Sequence, residues 1–97
     1  MKLRSTAVKK AKPRKKAYKL FDGGGMYLQV NSSGSKYWRL KYRFAGKEKL
    51  LAFGVYPDVS LKSARERRDA ARRLLSDNID PSVSQRIEKA AAKELLS

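Results

Sequence analysis

The chain has 97 residues, with 24 Lys and Arg against 9 Asp and Glu and a formal net charge of +15, and 41% of it is hydrophobic. That is one small basic domain with one modest core, and too apolar for wholesale disorder. Cysteine and histidine are both absent, which excludes a disulfide framework, a thiolate metal site and the commonest acid–base side chain.

No clustered acid–base or metal-ligating constellation occurs, so no catalysis, cofactor or metal is expected of this chain. No apolar run is long enough to span a bilayer, and the N-terminus has charge without an apolar h-region. Neither a membrane nor a small-molecule partner is expected, and a reducing, cytoplasmic location fits.

Residues 1–17 read as a basic arm without a single acid. Pro13 interrupts any helix, and Ser5 or Thr6 caps at most a short turn through Ala7, Val8 and Ala11. Without a partner the arm is expected to move freely. Such a charge block is either a nucleic-acid arm or a solubilising tail. On the first reading Lys9, Lys10, Lys12, Arg14, Lys15 and Lys16 grip phosphates.

Tyr18-Lys19-Leu20-Phe21 leaves room for an additional short strand, and Asp22-Gly23-Gly24-Gly25 reads as a turn feeding the next one. A phosphate-binding loop would end in Gly-Lys-Ser/Thr, and none follows.

From Met26 onward the pattern has period two. Met26, Leu28 and Val30 face one way, Tyr27 and Gln29 the other. The turn formers Asn31 to Ser35 follow, with Gly34 at the left-handed position of a three-residue loop. That register sets Leu28 against Trp38 and Met26 against Leu40 inside, and Tyr27 against Arg39 and Gln29 against Tyr37 outside. A second turn at Ala45-Gly46 sets Leu40 against Leu51 and Trp38 against Phe53 inside, and Arg43 against Glu48 and Lys41 against Leu50 outside. The two hairpins agree on which face is inside, which predicts an antiparallel three-stranded meander with strands near 26–31, 35–44 and 47–53.

A sheet with one apolar face needs a cover. Ser60 is an N-cap, and 61–77 carries Leu61, Ala64, Ala71, Leu74 and Leu75 on one helical stripe, with Asn78 as its stop. The fold class is therefore α+β: a three-stranded antiparallel meander packed against a C-terminal helix. Asp80-Pro81 starts another helix with a weak stripe of Val83, Ile87, Ala90, Ala91 and Leu95. Its uncapped end suggests a piece of a longer protein, with 1–80 a domain and 81–97 the start of a linker.

Several separated segments resemble one family: Tyr18-Lys19-Leu20, Asp22 to Leu28, Gly34 to Arg39, Tyr42-Arg43-Phe44, Gly46-Lys47, Phe53 to Leu61, Ala64-Arg65 and Asp80-Pro81. Together they are similar to the N-terminal arm-type DNA-binding domain of prophage and genomic-island integrases, which are tyrosine recombinases. The resemblance covers about residues 3 to 82. It implies a three-stranded sheet and a helix ahead of core-binding and catalytic domains, with a sheet that enters the DNA major groove. The family's catalytic Arg, His and Tyr lie in those later domains, so none is carried over here. Ala45 departs from the Asn common at that turn.

The outward face then supplies Tyr27, Gln29, Tyr37, Arg39, Lys41 and Arg43 to double-stranded DNA. Arg39 suits a paired contact with guanine and Gln29 one with adenine, while Lys41 and Arg43 read bases or hold phosphate. Lys36, Lys47 and the arm would contact flanking phosphates. Other integrase protomers are further partners in a full-length assembly. Three alternatives stand beside this reading. Tyr27 and Tyr37 form a cross-strand packing pair, and the cations a solvated edge. An RNA or single-strand module uses exposed aromatics on a basic sheet. A small adaptor recruits a protein through its last helix.

Overall fold

The computed structural model describes residues 2–96, with side chains described through residue 91. In chain order the elements are α1 (Ser5–Lys10), β1 (Tyr18–Gly23), β2 (Met26–Val30), β3 (Lys36–Phe44), β4 (Lys47–Tyr56), α2 (Leu61–Ser76) and α3 (Pro81–Leu96). The strands form one antiparallel sheet in the order β1-β2-β3-β4. The sheet thus has four strands where the residue pattern predicts three. The extra one is the segment starting at Tyr18, which pairs with β2 from Tyr18↔Val30 to Gly23↔Met26.

The β2–β3 register is the one the turn formers dictate, with Leu28 opposite Trp38 and Tyr27 opposite Arg39. The intervening loop closes through Gly34 N–H to the Asn31 carbonyl and Asn31 N–H to the Ser35 carbonyl, both 2.9 Å. At the next turn Ala45 (φ 53°) and Gly46 (φ 76°) are both left-handed, as a two-residue loop matching strand twist requires.

The β3–β4 register holds as far as Arg39↔Ala52 and then shifts. Trp38 lies opposite Gly54, not the expected Phe53, because Phe53 is the extra residue of a β-bulge. Gly54 has φ 122°, and a Cβ there would meet Val59 Cγ2 at 2.6 Å. That close approach brings the Val59 carbonyl to within 2.7 Å of the Trp38 indole N–H. The bulge keeps Phe53 in the core and turns Val55 outward opposite Tyr37.

Met26, Leu28, Val30, Trp38, Leu40, Tyr42, Leu51 and Phe53 make the sheet's half of the core, and Val59, Leu61, Ala64 and Ala71 the other half. Ser60 caps α2 by accepting from Ser63 N–H at 3.1 Å. The helix ends with Asn78 at φ 60°, its N–H on the Leu75 carbonyl and the Ile79 N–H on that of Leu74; these bonds satisfy carbonyls that a helix end leaves open. On α3, by contrast, Val83 and Ile87 of the expected stripe stay exposed. Leu95 lies outside the residues whose side chains are described.

The N-terminal arm is not free. Val8 of α1 is fully buried in the core, and the Leu3 N–H donates to Asp22 at 2.7 Å. An apolar residue in the short helical turn packs into the core on the sheet's inner face, where the charge pattern predicts an arm free to move.

Candidate nucleic-acid interface

With α2 covering one face, the other presents its side chains in cross-strand rows. The first is Lys19, Gln29, Tyr37 and Val55, and the second Phe21, Tyr27, Arg39 and Ala52. Lys41 beside Leu50 and Arg43 beside Glu48 complete it. Strands lie about 4.8 Å apart and successive outward residues about 6.8 Å along a strand. The six outward residues singled out by parity therefore all lie on one face, with Arg39 in its middle.

Their accessibility differs in ways that parity does not reveal. Tyr27 is only 1% exposed. Phe21 from β1 packs on it with ring centroids 5.6 Å apart, and the Lys19 ammonium sits 4.9 Å from its ring centre. As folded, this ring supports its neighbours and is not open to a base. Tyr37 is half-buried, with the Arg39 guanidinium 5.8 Å from its ring centre. The Arg39 Nε is buried without a hydrogen-bond partner. The Gln29 amide donates to the Asn31 side chain at 2.9 Å. Lys41 pairs diagonally with Glu48 at 2.6 Å, so Arg43, directly opposite Glu48, stays exposed to solvent.

Of the residues expected at phosphates, Lys9, Lys10, Lys12, Arg14, Lys15, Lys16 and Lys47 are exposed. Tyr18 anchors part of this set: its hydroxyl donates to the Lys12 carbonyl at 2.5 Å, and the Arg14 guanidinium lies 4.1 Å from its ring centre. Lys36 is placed differently. Its ammonium donates to the carbonyls of Val8 (2.8 Å) and Lys9 (3.2 Å), at the end of α1, where a helix dipole favours a cation. The side chain follows the inner parity, shared with Trp38 and Leu40, and fastens α1 to the sheet.

Two buried carboxylates organise the scaffold behind the face. Asp22 accepts from Leu3 N–H, from Arg65 and from Arg68 at 2.7 Å. Burial pushes its carboxyl up, but the hydrogen bonds from Arg65, Leu3 and Arg68, with the Arg65 charge, outweigh this and hold it below its ordinary value. Asp80 is the N-cap of α3, accepting from Ser82 N–H at 3.0 Å, and also takes the Tyr42 hydroxyl at 2.7 Å and the Lys49 ammonium. Burial again opposes ionisation, and the Lys49, Tyr42 and Ser82 bonds win, so this carboxyl too lies well below the usual range. The capping role of Asp80 is plain from Asp-Pro, but the Asp22 clamp is not. One signal for it exists: Asp22 is the only acid among the first 47 residues.

The Arm DNA-binding domain family model matches residues 3–88. The integrase of Enterobacteria phage P4 is 53% identical over 92 residues, which is 93% of this chain and 21% of that protein. Prophage integrase IntS of Escherichia coli K12 is 47% identical over 74 residues (76% and 19%), and prophage integrase IntA of the same strain 40% over 94 residues (95% and 23%). The chain spans about a fifth of the length of these curated relatives. The matched region is a DNA-binding domain and not a catalytic one. On the family match and these identities together, the chain belongs to the Arm DNA-binding domain family of phage and prophage integrases.

Proposed function

We propose that this chain recognises arm-type attachment sites in double-stranded DNA through the outward face of its sheet. It would do so as the N-terminal part of a tyrosine-type site-specific recombinase whose catalytic domain performs integration. The observation that carries the reading is the outward strip of β3, Arg39, Lys41 and Arg43, on the one sheet face that α2 leaves open. A polyanion supplies countercharge to Arg39 and Arg43, which have no acidic partner among the described ion pairs, while Lys41 already has Glu48. Strands β2 to β4 span about 10 Å between their outer axes, which fits a major groove about 12 Å wide.

In this reading Arg39 and Gln29 read bases, Lys41 and Arg43 read or grip, and Tyr27 and Tyr37 hold Arg39 and Gln29 in place. Lys47 and the cations between Lys9 and Lys16 set register on phosphates. The burial of Tyr27 favours a duplex over a single strand, since a stacking platform needs open rings. Residues 81–97 lead toward a core-binding domain, other integrase protomers share the site, and the setting is a bacterial cytoplasm. Among the described residues no helix is long and apolar enough to cross a membrane.

Competition tests this at ~0.15 M salt, where loose attraction is screened. A labelled attachment-site duplex should be displaced by the unlabelled duplex and far less by single strands or RNA. Displacement by RNA at equal concentration would transfer the function to the single-strand class.

A further inference from the structure

Beside the cationic strip of β3 runs a strip of a different kind. The outward positions of β4 after Glu48 are Leu50, Ala52 and Val55, all exposed, Leu50 to 55% and Val55 to 40%. One exposed apolar side chain needs no explanation. Three in succession on an edge strand are a liability that charged residues normally relieve. The third is outward only because of the bulge at Phe53, since unbroken alternation would turn Val55 into the core.

Each of the two nearer residues has a cation as its cross-strand neighbour: Leu50 lies opposite Lys41 and Ala52 opposite Arg39. A partner covering the apolar strip must therefore also accept charge about 4.8 Å away. An apolar protein surface fails this requirement, because it would bury Arg39 without compensation, whereas Lys41 has Glu48 at 2.6 Å. The floor of a DNA major groove meets it. Purine N7 and O6 accept hydrogen bonds there, and thymine presents its C5 methyl alongside them.

We infer that Leu50, with Ala52 and Val55, is a specificity-determining strip that reads thymine C5 methyl groups beside the bases contacted from β3. This rests on the proposed entry of the sheet into the major groove. It divides the reading face by strand: β3 supplies hydrogen bonds, β4 apolar contact.

The experiment uses duplexes selected by this chain from a randomised pool, resynthesised with deoxyuridine replacing thymidine one position at a time. This deletes one methyl and nothing else. Loss of one buried methyl contact should weaken binding about fourfold at one to three positions. Leu50→Ala, whose melting temperature should stay unchanged because the residue is exposed, should abolish the penalty at one position. Arg39→Ala should leave the penalties in place while weakening binding overall.

If deoxyuridine is harmless everywhere while selection and the Arg39 dependence persist, the strip reads no methyl groups, although the sheet still binds the groove. Equal weakening of thymine and uracil duplexes by Leu50→Ala would also overturn the inference. So would a self-associated chain that Leu50→Glu disperses, because the strip would then be covered by a second copy. If the pool yields no preferred duplex, the proposed function fails together with the inference.

Discussion

The Tyr42 hydroxyl donates to the Asp80 carboxylate at 2.7 Å, tying the inner face of β3 to the first turn of α3. The carboxylate also caps the helix through Ser82 N–H and pairs with Lys49. One side chain therefore fixes where α3 starts against the sheet. Asp80→Ala would leave a buried hydroxyl unpaired and the helix uncapped. A loss of about 1–3 kcal/mol is expected, measured as the urea unfolding midpoint. A change within error would mean that α3 is not held through this residue.

Acid should act through the same carboxylate and through Asp22. Both titrate below the ordinary 3.8 in the folded protein. As pH falls, the unfolded chain takes up these protons first, so protonation favours unfolding. The stability they contribute is fully present above about pH 4. It is lost progressively below that, as the pH falls toward the folded values. Unfolding midpoints at pH 6 and pH 3 should differ strongly for the natural sequence. They should differ less for the double variant Asp22→Asn, Asp80→Asn. Equal drops in both would place the acid sensitivity in other groups.

Trp38 is fully buried between β2, the bulge and the 57–60 connector, with its indole N–H on the Val59 carbonyl. Trp38→Ala should cost about 3–5 kcal/mol, comparable to the entire stability of many small domains. Thermal melting should show loss of the cooperative transition at 37 °C, a temperature many small domains survive only narrowly. A shift of a few degrees would mean that the core closes without it.

Ala45 occupies a left-handed position at φ 53°, which costs a residue with a Cβ about 1–2 kcal/mol. Ala45→Asn or Ala45→Gly should therefore raise the melting temperature by several degrees. Each leaves the Lys41–Glu48 pair and the outward strip untouched. No gain would show that the turn relaxes to another shape at no cost.

The sheet was largely legible because period-two parity is redundant. Leu28 opposite Trp38 and Leu40 opposite Leu51 demand the same inside face, and the one-residue slip that would break the first breaks the second. The Ser60 cap and the Asn78 stop follow from local chemistry that needs no partner. What could not be read depends on contacts distant in sequence. The Phe53 bulge exists because Gly54 lets Val59 approach, and Asp22 is buried because arginines 43 and 46 positions later reach it. The membership of the outward face was legible from alternation, but its accessibility was not. Tyr27 is covered by Phe21 of a strand with too weak a pattern to be predicted firmly, and Lys36 is claimed by carbonyls of α1.

Arg39→Ala should weaken binding to a preferred duplex by about 1–3 kcal/mol and relax preference at one base pair, without lowering the melting temperature. It lies in the middle of the open face and has no acidic partner among the described ion pairs. Binding to selected and scrambled duplexes separates the cases: equal weakening of both marks a phosphate contact, and no weakening removes Arg39 from the site.

The basic arm requires a charge test, not a deletion. Removing residues 1–16 would also remove Val8 from the core and the Leu3 N–H from Asp22, so lost binding would be confounded with lost stability. Replacing Lys9, Lys10, Lys12, Arg14, Lys15 and Lys16 by Gln keeps α1 docked and deletes only charge. Each phosphate neutralised contributes about 0.9 to the slope of log affinity against log salt. If the arm lies along the backbone, the variant's slope should be shallower by a few units, with affinity lowered for every sequence alike. Preference for the selected duplex should survive, because phosphate contacts position the protein while base contacts specify. Coincident slopes would make the arm a solubilising tail. Loss of preference with the fold intact would show that the arm itself enters a groove.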